Sequence, residues 1–291
     1  MKKALLTLYA TTYLHPGAGS ATDVIDLPVQ REVHNGLPVI PASSLKGALR
    51  QKADEADGFS EVEALFGPAS GDKHAGALLL GEARLLAMPI RSLRNVFQWV
   101  SSPLALDRLR RDLARMNVDL PEIPIPREGQ AMVPPGSGAG RLVLEELDFE
   151  TRGSEELGGI LREITTRLLP TGAGEYLLDK FTRDFALVPD GEFRHLCRTG
   201  TQVSARIQLD ENKRSENLWY EESLPPETVF YAMVLAQRSR DGKGMSDEDV
   251  MRGFEEGVVG ASGGLVQIGG NETVGQGWCS ARISDSDGAP R

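Results

Sequence analysis

The sequence predicts an α+β fold. Segments with strand and helix periodicity follow one another without the regular βα alternation of a doubly wound sheet, which favours a mixed sheet with helices packed on it. The 291 residues, 40% hydrophobic and 25% charged, show no tandem repeat and no second core. They read as a single domain over residues 1–283 carrying insertions, followed by a mobile tail at 284–291.

The opening MKKALLTLYATTYL imitates a signal peptide, but Thr7, Thr11 and Thr12 break its apolar stretch and it suits a first strand better. With no apolar run near the ~20 residues of a membrane span, a cytoplasmic protein without a membrane partner is expected. A loop follows from about His15 to Ser43, rich in proline and glycine and long enough to suggest function. A helix should open at Ser44 as cap, with Leu45, Ala48, Leu49 and Ala53 on one face, and another should follow a Ser60 cap. Residues 77–88 read as one buried strand. Ser102-Pro103 starts a helix whose core face is Leu106, Leu109, Leu113 and Met116. Five prolines and four glycines between Pro121 and Gly140 argue against any helix or central strand there.

Helical period returns at 154–169 through Leu157, Ile160, Leu161, Ile164 and Leu168. Val203, Ala205, Ile207 and Leu209 then alternate with polar residues, and LWYEE (218–222) returns after the polar DENKRSEN, so 203–222 is a hairpin long enough to project. Residues 228–236 are apolar on both faces and suit a central strand. Ser246 caps a helix with Val250, Phe254 and Val258 inward. The chain ends in glycine turns and short strands.

Chemistry-bearing patterns are few. The two cysteines, Cys197 and Cys279, lack a Cys-x-x-Cys pair, and the four histidines (15, 34, 74, 195) lack metal spacing. Buried free thiols are expected. GPASGDK (67–73) fails the P-loop pattern, and GGNETVGQG (269–277) is no dinucleotide fingerprint, although its backbone N–H groups at Gly269, Gly270, Asn271 and Gly275 suit a phosphate or simply a tight turn. Lys46 and Arg50 share a helix face near the helix start at Ser43 and Ser44, a combination able to grip phosphates, although an i,i+4 basic pair is more often a solvated face. Seven arginines against two acids between Arg84 and Arg115 give that stretch +5 within a chain of net charge −10. Asp247 and Asp249 fit helix capping, and Asp23 and Asp26 in the first long loop are by spacing alone turn formers.

Six stretches together resemble a known family: HPGAGSATDVIDLPVQRE (15–32), LPVIPASSLKGALR (37–50), GEARLLAMPIRS (81–92), WVSSP (99–103), NLWYEESLPPET (217–228) and QIGGNETVGQGW (267–278). They resemble the RAMP superfamily, in particular the repeated backbone subunit of the type III-B CRISPR effector, the Cmr complex. The resemblance implies an RRM-like (ferredoxin-like) core with insertions. It implies copies stacked as a helical filament on guide CRISPR RNA, with other Cmr subunits as partners. It also implies a β-hairpin thumb crossing the guide–target duplex, for which 203–222 is the candidate. Lys46 and Arg50 match the family's basic helix against the guide backbone. Cleavage of single-stranded target RNA is implied as well, dependent on a divalent metal and leaving a 2′,3′-cyclic phosphate. Asp26 matches the catalytic aspartate and is the candidate metal contact, with Mg²⁺ suited to its oxygen ligands. His15 and Glu227 are lesser catalytic candidates. A purely structural RNA-binding subunit is the alternative.

Overall fold

The computed structural model describes every residue except 22–23, 70–73, 139, 171, 243 and 286–291, and all but the side chain of 262. Its first strand, β1 (Lys2–Ala10), alternates Leu6 and Leu8 on one face with Leu5 and Tyr9 on the other, and both sets are buried. A strand with two buried faces belongs in the middle of a sheet covered on both sides. The elements that follow are β2 (Val39–Ile40), α1 (Ala42–Glu55), α2 (Val62–Phe66), β3 (Leu78–Leu80), β4 (Ala83–Arg91), β5 (Phe97–Ser101) and α3 (Pro103–Ala114). Then come β6 (Gln130–Val133), β7 (Gly140–Leu144), β8 (Leu147–Gly153), α4 (Glu155–Arg167), α5 (Glu175–Arg183), β9 (Phe185–Leu187) and α6 (Asp190–Thr199). The chain closes with β10 (Gln202–Leu209), β11 (Ser215–Ser223), β12 (Val229–Ala236), α7 (Asp247–Arg252), β13 (Leu265–Gln267) and β14 (Trp278–Ser284).

Among the described residues one mixed sheet runs β13-β14-β1-β12-β4-β5-β9-β6-β8-β7, with β2 on β4 and β3 on β12. Its pairs are antiparallel except β5–β9 and β6–β8. On one face Leu6, Leu8, Phe230 and Val234 meet Leu45 and Leu49 of α1 and Phe254 beyond α7. On the other, Leu5, Tyr9 and Trp99 meet Leu106 and Leu109 of α3, Ile160 and Leu161 of α4, and Phe181 of α5. Among the named strands, β10 and β11 pair with each other as a separate two-stranded sheet. Their register, Ala205 opposite Tyr220 and Ile207 opposite Leu218, gathers apolar side chains on one face, yet Ile207 is 57% and Leu218 52% exposed. The hairpin is therefore exposed over most of its length.

The α+β class, the central β12, the hairpin and the capped starts of α3 at Ser102 and α4 at Ser154 match expectation. At α7, Ser246 and Asp249 form a reciprocal capping box, and the helix widens into a π-helical turn over Gly253–Val259 that keeps Phe254 and Val258 inward. Both cysteines are buried and free. Five expectations need correction. Helix α1 starts two residues before Ser44, with Pro41 at the cap, because the fixed φ of proline leads the chain straight into the first turn; neither Ser43 nor Ser44 caps it. Helix α2 follows Glu61, not Ser60, and has no side-chain cap. Residues 77–88 split into β3 and β4 because Gly81 packs against the Met233 backbone, closer than any side chain would allow with ease. Despite its prolines, the 121–140 stretch supplies β6 to the sheet interior between β9 and β8, using the proline-free Gln130–Val133. Finally, Ser284 pairs with Leu5 in β14, so it belongs to the sheet; residues 286–291 of the expected tail lie outside the described set, as does Asp23.

Candidate functional site

Three segments far apart in sequence meet where the hairpin leaves the body. Leu14 and Leu224 bridge as antiparallel partners, which brings His15 beside the end of β11. The His15 Nδ1 lies 2.6 Å from the Glu222 carbonyl oxygen. A carbonyl only accepts, so Nδ1 carries the proton and Nε2 holds the lone pair in the neutral ring. Nε2 would sit 2.8 Å from a Cβ at Gly17, so only glycine leaves room for the ring, which is buried. The Glu222 carboxylate, 3% exposed, accepts from Val29 N–H at 2.9 Å and from the Arg31 guanidinium at 2.6 Å. Arg31 also donates to the carbonyls of Gly36 and Cys197. Glu221, equally buried, accepts from the Asn271 side chain and faces Arg206 at 3.5 Å.

Asp26 joins the same root. Its Oδ2 accepts the Tyr220 N–H at 2.7 Å, and the Leu27 and Glu222 N–H groups exchange hydrogen bonds with the Tyr220 and Leu27 carbonyls at 3.0 Å. The loop thus runs along β11 as a partial third strand, with Asp26 partly exposed at the point of departure. The glycine segment closes the other side. Gly269 has φ +85°, and a Cβ there would fall 2.4 Å from the His15 carbonyl, to which Gly270 N–H donates. Asn271 takes the left-handed conformation, which asparagine tolerates. Gly275, also left-handed, has open space around it.

The other expected residues lie apart from this cluster. Ser43 and Ser44 are exposed on the first turn of α1, whose leading N–H groups find no side-chain cap. Lys46 and Arg50 are tethered to the body: Nζ of Lys46 donates to the Leu78 carbonyl at 3.3 Å and Arg50 to that of Gly67 at 2.7 Å. Burial and the neighbouring Arg50 charge lower the Lys46 pKa. Glu227, at φ +73°, hydrogen-bonds among the described residues to groups other than Asp26 and His15. It bonds the Tyr9 hydroxyl, and its carbonyl accepts from Trp99 Nε1 at 2.9 Å. Burial raises its pKa. It lines a cleft of about 570 Å³ with Pro225, Pro226 and the hairpin foot at Gln202 and Val203.

The positive surface expected at Arg84–Arg115 is reduced but not cancelled, because six of these arginines share four helix and loop carboxylates. Asp112 holds Arg84 and Arg115, Asp107 holds Arg110 and Arg111, Glu32 holds Arg108, and Glu145 holds Arg91. Among the described residues no three His, Cys, Asp or Glu side chains converge as a metal site. The sequence reading missed the acids Glu221 and Glu222 and their partners Arg31 and Arg206. The available signal was the pair of adjacent acids closing an otherwise alternating strand, where one of two successive residues must face the body.

The RAMP superfamily model matches residues 7–280. The Pyrococcus furiosus CRISPR system Cmr endoribonuclease Cmr4 is 33% identical over 98% of this chain and 97% of its own length. The Saccharolobus solfataricus CRISPR system CMR subunit Cmr4 is 25% identical over 92% of each. The crystal structure of oligomeric Cmr4 from Pyrococcus furiosus superposes with a TM-score of 0.74 at 30% identity, over 98% of both chains. A type III-B Cmr-beta cryo-EM structure bound to cognate target RNA contains a chain of the same fold, with TM-score 0.74 at 21% identity over 97% of each. The agreement runs over nearly the full length in sequence and in fold: the chain belongs to the RAMP superfamily, among the Cmr4 proteins.

Proposed function

We propose that this chain is a guide-RNA-binding filament subunit of a type III-B CRISPR complex, and that it cleaves complementary target RNA with Asp26. The observation that carries the reading is the placement of Asp26: one carboxylate oxygen is fixed to the backbone of β11 at the root of an exposed hairpin. The relative named an endoribonuclease and the relative crystallised as an oligomer support activity and self-assembly, respectively. In this reading the core is RRM-like and β10–β11 is the thumb that crosses the guide–target duplex. Other Cmr subunits complete the assembly. The uncapped first turn of α1, with Ser43, Ser44, Lys46 and Arg50, grips guide phosphates without reading sequence. The segment Gly269, Gly270, Asn271 and Gly275 meets RNA separately, at the hairpin root, although its Gly270 and Gly275 N–H groups already bond the His15 and Glu272 carbonyls.

The chemistry follows from one carboxylate. Asp26 accepts the proton of the target ribose 2′-hydroxyl, the 2′-oxygen attacks phosphorus, and the P–O5′ bond breaks. The products are a 2′,3′-cyclic phosphate and a 5′-hydroxyl whose proton comes from water. Displacing the base beside the scissile phosphate helps the 2′-oxygen reach in-line geometry. His15, buried with Nε2 against Gly17, acts by holding the glycine segment and β11 in place. Glu227 stays a secondary candidate for proton delivery, since burial favours its protonated form. A divalent cation, Mg²⁺ by oxygen preference, belongs to the proposal. The described residues do not form its cage, because Glu221 and Glu222 are committed to Asn271, Arg206, Val29 and Arg31.

The same Tyr220 hydrogen bond also favours a second reading, in which Asp26 only anchors the hairpin and the subunit is structural. Asp26→Asn separates the two, because its amide oxygen keeps the acceptor and loses the base. In complexes reconstituted with guide and target RNA, catalysis by Asp26 requires intact assembly and a cleavage rate lower by about 10²–10⁴. Cleavage at the wild-type rate would leave only the structural role.

A further inference from the structure

At the end of the sheet where β1 begins, about 23 Å of strand from its hairpin end, a cleft of about 450 Å³ opens between α3 and strands β1 and β12. Lys3, Arg84, Arg108, Arg111 and Arg115 line it, with Asp112 the only carboxylate among the lining residues. Arg84 and Arg115 share Asp112, Arg108 reaches Glu32 at 2.7 Å, and Arg111 shares Asp107 with Arg110. Lys3 donates to the Arg115 carbonyl at 2.8 Å. The cations outnumber the carboxylates that reach them, and these contacts hold the guanidinium groups in place around the opening.

A second observation lies in the row of strands that runs from Arg84, which lines the cleft. The register places Arg282, Thr7, Tyr231 and Arg84 side by side across β14, β1, β12 and β4. Three of these four are buried with a polar atom lacking any hydrogen-bond partner: Arg282 Nε, Thr7 Oγ1 and Tyr231 Oη. Tyr231, 1% exposed, feels the charges of Asp112, Arg84 and Arg108, all of them lining the cleft, and the group nearest its hydroxyl is the Arg84 guanidinium, which can only donate. A buried hydroxyl without an acceptor is costly, and native structures rarely leave one. Here the missing group is an acceptor, and the surrounding guanidinium groups specify its charge. Apart from the ionic groups the lining is Met1, Met233 and Leu235, with no aromatic platform for a base.

We propose that this cleft is a phosphate-group site, taking either a phosphodiester of an RNA strand or free inorganic phosphate; only the RNA source rests on the function proposed above. Arg84, Arg111 and Arg115 contact the phosphate oxygens, and the Tyr231 hydroxyl donates to it from beside Arg84.

Thermal unfolding of the full chain is measured in rising inorganic phosphate against sodium chloride of equal ionic strength. Wild type should gain several degrees from phosphate, Arg84→Gln/Arg111→Gln should lose that gain, and Tyr231→Phe should lose much of it. Tyr231→Phe removes one unpartnered atom and keeps the ring, so it carries the test if the double variant folds poorly. In the second arm a short unstructured RNA is titrated at several salt concentrations. The log K against log salt slope of the double variant should be shallower by about 1.4 if two phosphate contacts are lost. Loss of the phosphate response with an unchanged RNA slope assigns the site to free phosphate, and a shallower slope assigns it to RNA. Phosphate effects and RNA slopes identical in wild type and all variants overturn the site. If wild type binds no RNA while the phosphate response holds, the functional reading fails and the site stands.

Discussion

Replacing Glu222 by Gln tests whether the hairpin root is held by a buried ion pair. The carboxylate is nearly fully buried and accepts from both Val29 N–H and the Arg31 guanidinium. Removing one member of a buried pair costs about 3–5 kcal/mol, because the other charge is left uncompensated. Two features reduce that figure. The Arg31 side chain is 21% exposed and keeps the Gly36 and Cys197 carbonyls. The amide of Gln also preserves an acceptor for Val29. About 2–3 kcal/mol remains, which for a chain this long lowers the melting temperature by roughly 3–5 °C. Urea unfolding of Glu222→Gln, Arg31→Leu and the double variant provides the cycle, and a coupling energy near 2 kcal/mol is expected. Additive single effects, or a Glu222→Gln cost below about 0.5 kcal/mol, would show that the pair is solvated in solution and that the root is held by backbone pairing alone.

Three further outcomes follow from local geometry. Gly269→Ala should cost at least about 2 kcal/mol, since it adds a backbone clash with His15 to left-handed strain, whereas Gly275→Ala, with the same sign of φ and open space, should cost about 1 kcal/mol; equal costs in chemical denaturation refute the packing of His15 on the glycine segment. Burial holds the Glu227 pKa above its ordinary 4.5, so the folded state binds this proton more tightly than the unfolded one. That contribution is fully present below 4.5 and is lost as pH rises through the raised value, so Glu227→Gln should gain on wild type over that window in urea midpoints. Burial pushes the Cys279 thiol up to about 12 and the Cys197 thiol higher still, so neither should react with a thiol reagent at pH 8 until the chain is unfolded.

The elements legible in the sequence were those whose periodicity is set by burial. β12 is apolar on both faces because helices cover both sides of the sheet, and α3 and α4 show their core stripes because each packs on one side only. β6 was hidden because four residues flanked by glycine and proline carry too little pattern to reveal a neighbour on each side. In the site, Asp26, His15 and the glycine cluster were visible as residue types in a long loop and a turn. Their convergence was not visible, because it depends on an isolated bridge between Leu14 and Leu224 and on the register of β11. Glu221 and Glu222 escaped notice for the opposite reason: exposed and buried acids look alike in sequence until a partner such as Arg31, nearly two hundred residues away, is seen beside them.

Charge shows the same division between what totals reveal and what placement decides. The arginines of α3 mostly face carboxylates at 2.7–2.9 Å, and Arg115 just beyond it pairs with Asp112, so an incoming phosphate must compete with a partner already present. Lys46 differs: among the described residues it has no carboxylate partner, only the Leu78 carbonyl, and its neighbour Arg50 repels it while Asp54 stands 3.7 Å from that arginine. Partial desolvation and like charge make this lysine's cationic form costly in the free protein, and an anion relieves both effects. Lys46→Met should therefore leave thermal stability unchanged or slightly higher, while it weakens RNA binding and makes the log–log salt slope shallower by about 0.7. Arg110→Gln, removed from an exposed pair with Asp107 on α3, should change neither by a measurable amount. If Lys46→Met instead destabilised the fold and left the salt slope alone, the lysine would be a tether for β3 and the guide-binding role of α1 would fall to its uncapped first turn.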